Sequence, residues 1–236
     1  MTGPAATTST SARAALSWER FDPLPLGPIM EAATEAFTHQ GYHGASVRDI
    51  AELAGVTVPT LYYHHGNKQG LLIDLVNTSM TDLVERSGWA VEEAGDDPLD
   101  RFVDVVDCTV RFMCHRQRIA RLDPEARYLD EDRRAAYAAL RKRFEVRMLG
   151  LVEDGVAARI FDVEHPVDVN RALLGAYQSI AIWYRPDGQL TPAQIAHRHV
   201  AFSLDAVRAD SRSRAAGLRT VGARIAASGE PPEASR

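Results

Sequence analysis

Apolar residues recur every three or four positions through almost the whole chain, the period of helices packed on one face. Ile29, Ala32, Ala33, Ala36 and Phe37 mark one side of a first helix, which Gly41 stops. Ser46 opens a second, with Asp49 three residues on as a capping box and Ile50, Ala51 and Ala54 inward; Gly55 ends it. Thr57 caps a third, with Pro59 in its first turn. Gly66-Asn67 ends that one and starts a longer fourth, whose inner residues are Leu72, Leu75, Val76 and Leu83. After Gly95-Asp96-Asp97-Pro98 a fifth helix carries Leu99, Phe102, Val106, Val110 and Met113 on one side. A short sixth helix is expected over 122–129. Tyr137, Leu140, Phe144, Met148, Leu151 and Gly155 stripe a seventh. Pro166 opens an eighth with Leu173, Ala176, Tyr177, Ile180 and Tyr184 on one face, closed by Arg185-Pro186-Asp187-Gly188. Thr191-Pro192-Ala193-Gln194 starts a ninth: a cap, a proline at the first position, a glutamine at the third.

No stretch alternates as a strand does, so the expected class is all-α, about nine to ten helices in two units. Three short helices joined by glycine-containing turns over 28–65 have the layout of a helix-turn-helix. The expected organisation is an N-terminal extension at 1–24, a disordered arm apart from a possible short helix over 11–21. A DNA-binding domain follows at 25–70, an effector-binding and dimerisation domain at 71–210, and a C-terminal tail at 211–236. In the tail a helix reaches about Ile225 and frays beyond it.

The text of the helix-turn-helix is specific. It reads Ala45-Ser46-Val47-Arg48-Asp49-Ile50-Ala51, then Ala54-Gly55-Val56-Thr57-Val58-Pro59-Thr60-Leu61-Tyr62-Tyr63-His64-His65, then Asn67-Lys68, after an Ala-x-x-x-Phe-x-x-x-Gly-Tyr helix at 33–42. This resembles the TetR family of transcriptional regulators, and it implies an operator-binding repressor with double-stranded DNA as partner. Within the unit, Val58, Pro59 and Tyr63 lie on the leading edge of the third helix, where they can touch base edges or thymine methyls. Thr60, Tyr62 and His64 offer donors to phosphates on either side of the groove. Thr57 caps that helix, Lys68 adds a cation, and the amides opening the fourth helix can hold a phosphate. Ser46, Val47 and Arg48 form a second contact patch. Leu61, Ile50, Ala54 and Val56 are assigned to packing, and His39 and His43 to the surface. Tyr62 is alternatively a packing residue and Arg48 a solvated one. The family usually has Phe after the His; this chain has His65, which if half-buried is expected to be hydrogen-bonded.

Charge complicates the picture. The net charge is −5, and residues 28–70 hold only Arg48 and Lys68 against Glu31, Glu35, Asp49 and Glu52, a net of −2. Phosphate neutralisation needs cations, so affinity is expected to lean on neutral donors, helix dipoles and the arginines Arg13 and Arg20. By contrast 111–147 carries eleven basic residues against six acidic ones, leaving −10 for the rest of the chain.

Residues 97–210 are similar to a narrower branch of the family, regulators of lipid and steroid breakdown that sense acyl-CoA thioesters. The resemblance rests on Ala172-Leu173-Leu174-Gly175, on the run Ile182-Trp183-Tyr184-Arg185-Pro186-Asp187-Gly188-Gln189-Leu190-Thr191-Pro192, and on Arg143-Phe144-Glu145 with Val152-Glu153-Asp154-Gly155-Val156-Ala157-Ala158. An acyl-CoA needs an apolar tunnel and cations for its phosphates. Phe102, Val106, Val110, Met113, Phe144, Met148, Tyr177 and Trp183 are candidates for the tunnel, and Arg118, Arg121 and Arg143 for the nucleotide. Equally, the basic run is the wet face of a helix and the stripe is core. The resemblance further implies a homodimer through the last two helices, residues 168–208, with Leu173, Ile180, Ile195, His199 and Phe202 shared between interface and core.

Other classes fare worse. No clustered Ser-His-Asp, glycine-rich phosphate loop or metal spacing is present, so no catalysis, metal or cofactor is expected beyond the small-molecule effector. Cys108 and Cys114 sit six apart, on different helix faces, and read as buried thiols in a reducing compartment. Absence of a signal-peptide pattern and of a long apolar run points to a cytoplasmic protein without membrane contact. The runner-up function is a regulator of the same type that senses a cationic or aromatic drug-like ligand and controls efflux. A third is an interaction protein that has lost DNA binding.

Overall fold

The computed structural model describes residues 17–228. Within them the architecture is helical: α1 (Pro28–Gly44), α2 (Val47–Leu53), α3 (Val58–His65), α4 (Lys68–Ala94), α5 (Pro98–His115), α6 (Gln117–Ala120), a 3₁₀ turn (Asp123–Tyr128), α7 (Glu131–Ala157), α8 (Pro166–Trp183), α9 (Pro192–Ala206) and α10 (Ser211–Ser228). The short helix expected over 122–129 is the 3₁₀ turn, and α6 precedes it as a separate single turn. The starts are fixed locally. Ser46 accepts from the Asp49 amide at 3.1 Å, Asn67 from that of Gly70 at 2.9 Å, and Thr191 and Gln194 close a reciprocal capping box. α1 is broken at Gly41, whose φ of 71° leaves the helical region before Tyr42 turns inward.

The 27-residue α4, about 40 Å long, joins the two units. α5 is the axis of the larger one, packed against α4, α7, α8, α9 and α10. Every residue from Phe102 to Cys114 is buried, including Asp104, Asp107, Thr109 and Arg111. Both cysteines are buried free thiols.

The start of the described chain departs from expectation, while the helix expected in the tail is present. Trp18 is fully buried, so residues 17–24 form a fixed strap rather than a disordered arm or a helix. Arg86 of α4 donates to the carbonyls of Trp18 and Arg20 and lies 4.3 Å over the Phe21 ring. That point is about 27 Å up α4 from Lys68, and Arg20 pairs with Asp22; Arg20 is therefore remote from α3, and Arg13 lies outside the described residues. The expected tail is largely the packed helix α10, with Val221 fully buried. Arg224 of α10 joins three segments: it meets Asp104 at 2.6 Å, Asp107 at 3.4 Å and Glu19 of the strap at 3.2 Å, and stacks 5.0 Å over Trp18.

Burial pushes the Asp104 carboxyl up to about 6 against the pull of Arg224, so its protonated form is the better tolerated one in the fold. The stabilisation from that form is fully present below the unfolded carboxyl value near ~4 and is lost as pH rises through about 6. Asp104→Asn is expected to remove this component, roughly 2–3 kcal/mol between pH 4 and 7. Urea midpoints of wild type and variant across that range measure it; parallel profiles would show that the shift is absent.

Candidate DNA interface and effector cavity

α3 is held by one face and free on the other. Leu61 is fully buried with Ile50 and Ala51 of α2 beneath it. Tyr63 is 85% exposed and Tyr62 46%; Pro59, Thr60 and His64 are also exposed and Val58 half-buried. Thr57 caps the helix, its hydroxyl 2.8 Å from that of Thr60 and accepting the Thr60 amide at 3.3 Å. The Tyr63 and His64 rings meet edge-on at 5.2 Å. On α2, Arg48 is exposed beside half-buried Val47, and Ser46 serves as the cap. Lys68 is half-buried: its ammonium lies 4.6 Å over the Tyr42 ring and donates to the His43 carbonyl at 3.3 Å, and burial lowers its pKa. Arg48 and the outward residues of α3 are thus open to solvent, while Lys68 is held against the end of α1.

The α3–α4 joint is narrow. Gly66 takes φ 71°, and a Cβ at Gly70 would stand 1.7 Å from the His65 carbonyl oxygen, so position 70 admits no side chain. His65, mostly buried, shares a 2.7 Å hydrogen bond between Nδ1 and Asp74 Oδ2. The residue that departs from the family pattern therefore bolts the end of α3 to α4. His43 is exposed yet packs edge-on to Tyr128 at 4.2 Å.

A cavity of about 700 Å³ lies between α4, α5, α7 and α8. Met80, Leu83, Phe112, Met113, Phe144, Leu174 and Tyr177 give it an apolar floor; Ser79, Thr109, Tyr137, Asp123 and Gln178 add polar points; Arg141, Lys142, Glu145 and Arg171 stand on it from α7 and α8. The Tyr177 hydroxyl is engaged with Ser203 at 2.7 Å, and burial raises its pKa. Arg141, Lys142 and Arg171 are 56%, 59% and 69% exposed and form loose pairs with Asp123, Glu145 and Asp168 at 3.6, 2.8 and 3.6 Å. Such exposed pairs are worth about 1 kcal/mol or less each, so an incoming anion displaces them at little cost.

Of the residues expected to bind an effector, Met113, Phe144 and Tyr177 line this cavity. The others stand elsewhere. Phe102 packs edge-on to Phe161 at 5.0 Å; Val106, Val110 and Met148 are fully buried core. Trp183 is 46% exposed and stacks on His199 at 6.2 Å. Arg118 pairs with Glu31 of α1 at 3.8 Å, while Arg121 and Arg143 are exposed away from the lining. The physical reason is that α5 is buried all round from Phe102 to Cys114, so a stripe does not reveal which side faces a void. Sequence spacing selected 102, 106, 110 and 113; the cavity is met by 109, 112 and 113. On α7 it is met by 137, 138, 141, 142, 144 and 145, a helical face that excludes 143. The basic island also divides. Arg111 pairs with buried Asp107 at 2.6 Å and Arg116 with Asp82 at 2.8 Å, and Arg147 donates to Val84 and Ser87. These cations serve the fold. The signal missed in the sequence was the i, i+3, i+4, i+7 set on α7.

Among the described residues no helix is long and apolar enough to cross a membrane, and no cluster of three or more metal-ligating side chains occurs. Comparison with known proteins agrees with the geometry. Residues 29–75 match the family of bacterial regulatory proteins named for tetR, and residues 95–207 match the Tetracyclin repressor-like C-terminal domain. The HTH-type transcriptional repressor KstR2 of Mycobacterium tuberculosis is 24% identical over 184 residues, covering 77% of this chain and 92% of its own. The regulator PfmR of Thermus thermophilus superposes with a TM-score of 0.68 at 25% identity, over 78% of this chain and 99% of its own. AibR, solved in complex with isovaleryl coenzyme A and operator DNA, superposes with a TM-score of 0.64 at 25% identity, over 74% of this chain and 95% of its own. With both halves of the fold matched, the helix-turn-helix and the helical C-terminal domain, this chain belongs to the TetR family of transcriptional regulators.

Proposed function

We propose that this protein is a dimeric repressor that grips a palindromic operator through α3 and is released by an acyl-CoA thioester. The observation that carries the effector reading is the cavity itself, an apolar floor under a rim of three exposed cations. The acyl chain lies on Met80, Phe112, Phe144 and Leu174. The nucleotide phosphates lie at Arg141, Lys142 and Arg171, in place of the Arg118, Arg121 and Arg143 expected from the sequence. AibR, whose structure holds isovaleryl coenzyme A and operator DNA together, supports an acyl-CoA as the ligand by likeness of fold. A ligand acts only if it binds the two states of the protein unequally; here the loaded cavity favours a form whose two α3 helices no longer match the half-site spacing.

Pairing through α8 and α9 is supported by Ile182, Trp183 and Phe202, which are 60%, 46% and 48% exposed. Leu173, Ile180 and Ile195 are core, and His199, whose Nδ1 meets the Ile195 carbonyl at 2.9 Å, is half-buried with a lowered pKa from burial. A second copy covering the exposed three satisfies the two-fold symmetry of a palindrome.

Three measurements follow from this reading. Against an operator duplex selected from a random pool by the wild-type protein, Tyr63→Ala is expected to weaken binding by roughly 1–3 kcal/mol and relax sequence preference. Lys68→Ala is expected to weaken all duplexes alike and lower the salt slope by about one unit. Unchanged binding in both variants means that α3 does not read the DNA. In sedimentation, wild type is expected to run as a dimer and Phe202→Asp as a monomer; a monomeric wild type removes the α8–α9 interface.

The operator complex titrated with palmitoyl-CoA, palmitate and CoA separately is expected to dissociate at the lowest concentration with palmitoyl-CoA. Replacing both Arg141 and Arg171 by Ala is expected to raise the required palmitoyl-CoA about tenfold while leaving palmitate unaffected, the loss of one or two charge-assisted contacts. Palmitate matching palmitoyl-CoA makes the effector a plain lipid, and release by a cationic dye alone makes the protein a drug sensor.

A further inference from the structure

The 3₁₀ turn Asp123–Tyr128 touches both functional regions within six residues. At its start, Asp123 lines the cavity, accepts from the Tyr137 hydroxyl and stands 3.6 Å from Arg141. At its end, Tyr128 lies parallel to Tyr42, ring centroids 5.5 Å apart and planes 10° apart, and meets His43 edge-on at 4.2 Å. Tyr42 is the ring over which the Lys68 ammonium sits, and His43 supplies the carbonyl that Lys68 donates to. Two residues past the turn, the Asp130 amide donates to Gln69 at 2.8 Å. The Arg127 guanidinium lies 4.8 Å from the Tyr128 ring centroid. The segment that walls the cavity is therefore fastened at its far end to the first turn of α4.

We propose that Tyr128 is a positioning residue: its stack on Tyr42 and His43 sets Lys68 for the DNA backbone and carries the occupancy of the cavity to that lysine. The inference rests on the cavity being the effector site. A 3₁₀ turn rises about 2 Å per residue, so Asp123 and Tyr128 are about 10 Å apart along one short element. A ligand that draws Arg141 off Asp123 or displaces the Asp123 wall moves that element as a piece. Packed aromatic rings do not deform gradually, so the stack either follows or separates. Separation takes the stacked ring from Tyr42, which keeps Phe37 at 5.6 Å on its inner side, and loosens the seat of Lys68. The path is distinct from α4, which also borders the cavity through Ser79, Met80 and Leu83, and the experiment tells the two apart.

Operator affinity is measured by fluorescence anisotropy for wild type, Tyr128→Ala and Tyr128→Phe, each with and without palmitoyl-CoA, and palmitoyl-CoA affinity is measured separately on the free proteins. A second arm needs no ligand: Leu174→Trp puts an indole into the cavity from α8, in each of the three backgrounds. Wild type and Tyr128→Phe are expected to lose about tenfold in operator affinity in either arm, a usual size for coupling between sites. Tyr128→Ala is expected to bind operator severalfold more weakly without ligand, to bind palmitoyl-CoA as wild type does, and to lose less than about twofold further in either arm. A merely structural tyrosine lowers affinity but leaves the ratio intact. Full release of Tyr128→Ala overturns the inference and leaves α4 as the carrier; no loss from Leu174→Trp in the wild-type background overturns it by showing that the filled cavity does not reach the DNA face. If palmitoyl-CoA fails to bind wild type, the effector reading fails on its own and the Leu174→Trp arm decides the role of Tyr128.

Discussion

Helix α5 runs through the middle of the larger unit and carries two carboxylates, Asp104 and Asp107, into its interior. Buried charge is costly unless partners surround it, and much of the surrounding architecture answers that cost. Arg111 comes from α5 itself, one turn on from Asp107. Arg224 comes from α10, and Glu19 and the Trp18 ring complete its surroundings from the strap. A parallel arrangement higher on α4 sets Asp82 between Arg86 and Arg116, with Phe21 beneath both guanidinium groups. The two chain ends are structural parts of the effector unit because α5 needs their side chains.

The DNA unit solves a different problem. With a net charge of −2 over 28–70 it has few cations to bring to a phosphate backbone, so the placement of those it has matters more. Lys68 is seated on an aromatic ring and a carbonyl, and the end of α3 is fixed by the His65–Asp74 hydrogen bond and by the contact of the His65 carbonyl with Gly70. Geometry stands in for charge.

Much of this was legible in the sequence, for reasons that differ by element. Caps and breakers are local chemistry, so Ser46, Thr57, Asn67 and the Thr191–Gln194 box marked helix starts without reference to the rest of the molecule. The outward face of α3 followed from a short helix with one buried anchor, Leu61. The void was not legible. On a helix buried all round, hydrophobic period carries no information about which third meets empty space, and on α7 the sequence does not say which basic residues turn toward a neighbour. The order of residues 17–24 was missed for a related reason. The run from Ser17 to Pro28 has no period, and its order comes from Arg86 and Arg224, sixty or more residues away. Long-range partners leave no local trace.

The clasp between the strap and α10 also sets an order of events during synthesis. Domains fold as they emerge from the ribosome, N-terminal parts first. Here Asp104 is made 120 residues before its guanidinium partner, Arg224. Until Arg224 has left the exit tunnel, the nascent chain holds an aspartate that its own core disfavours in the charged form, and Trp18 lacks the cation that covers it. The larger unit can therefore close around α5 only after Arg224 has emerged. A transcript cut short before that codon yields a chain that breaks off within α10 or earlier and leaves Asp104 without its cation.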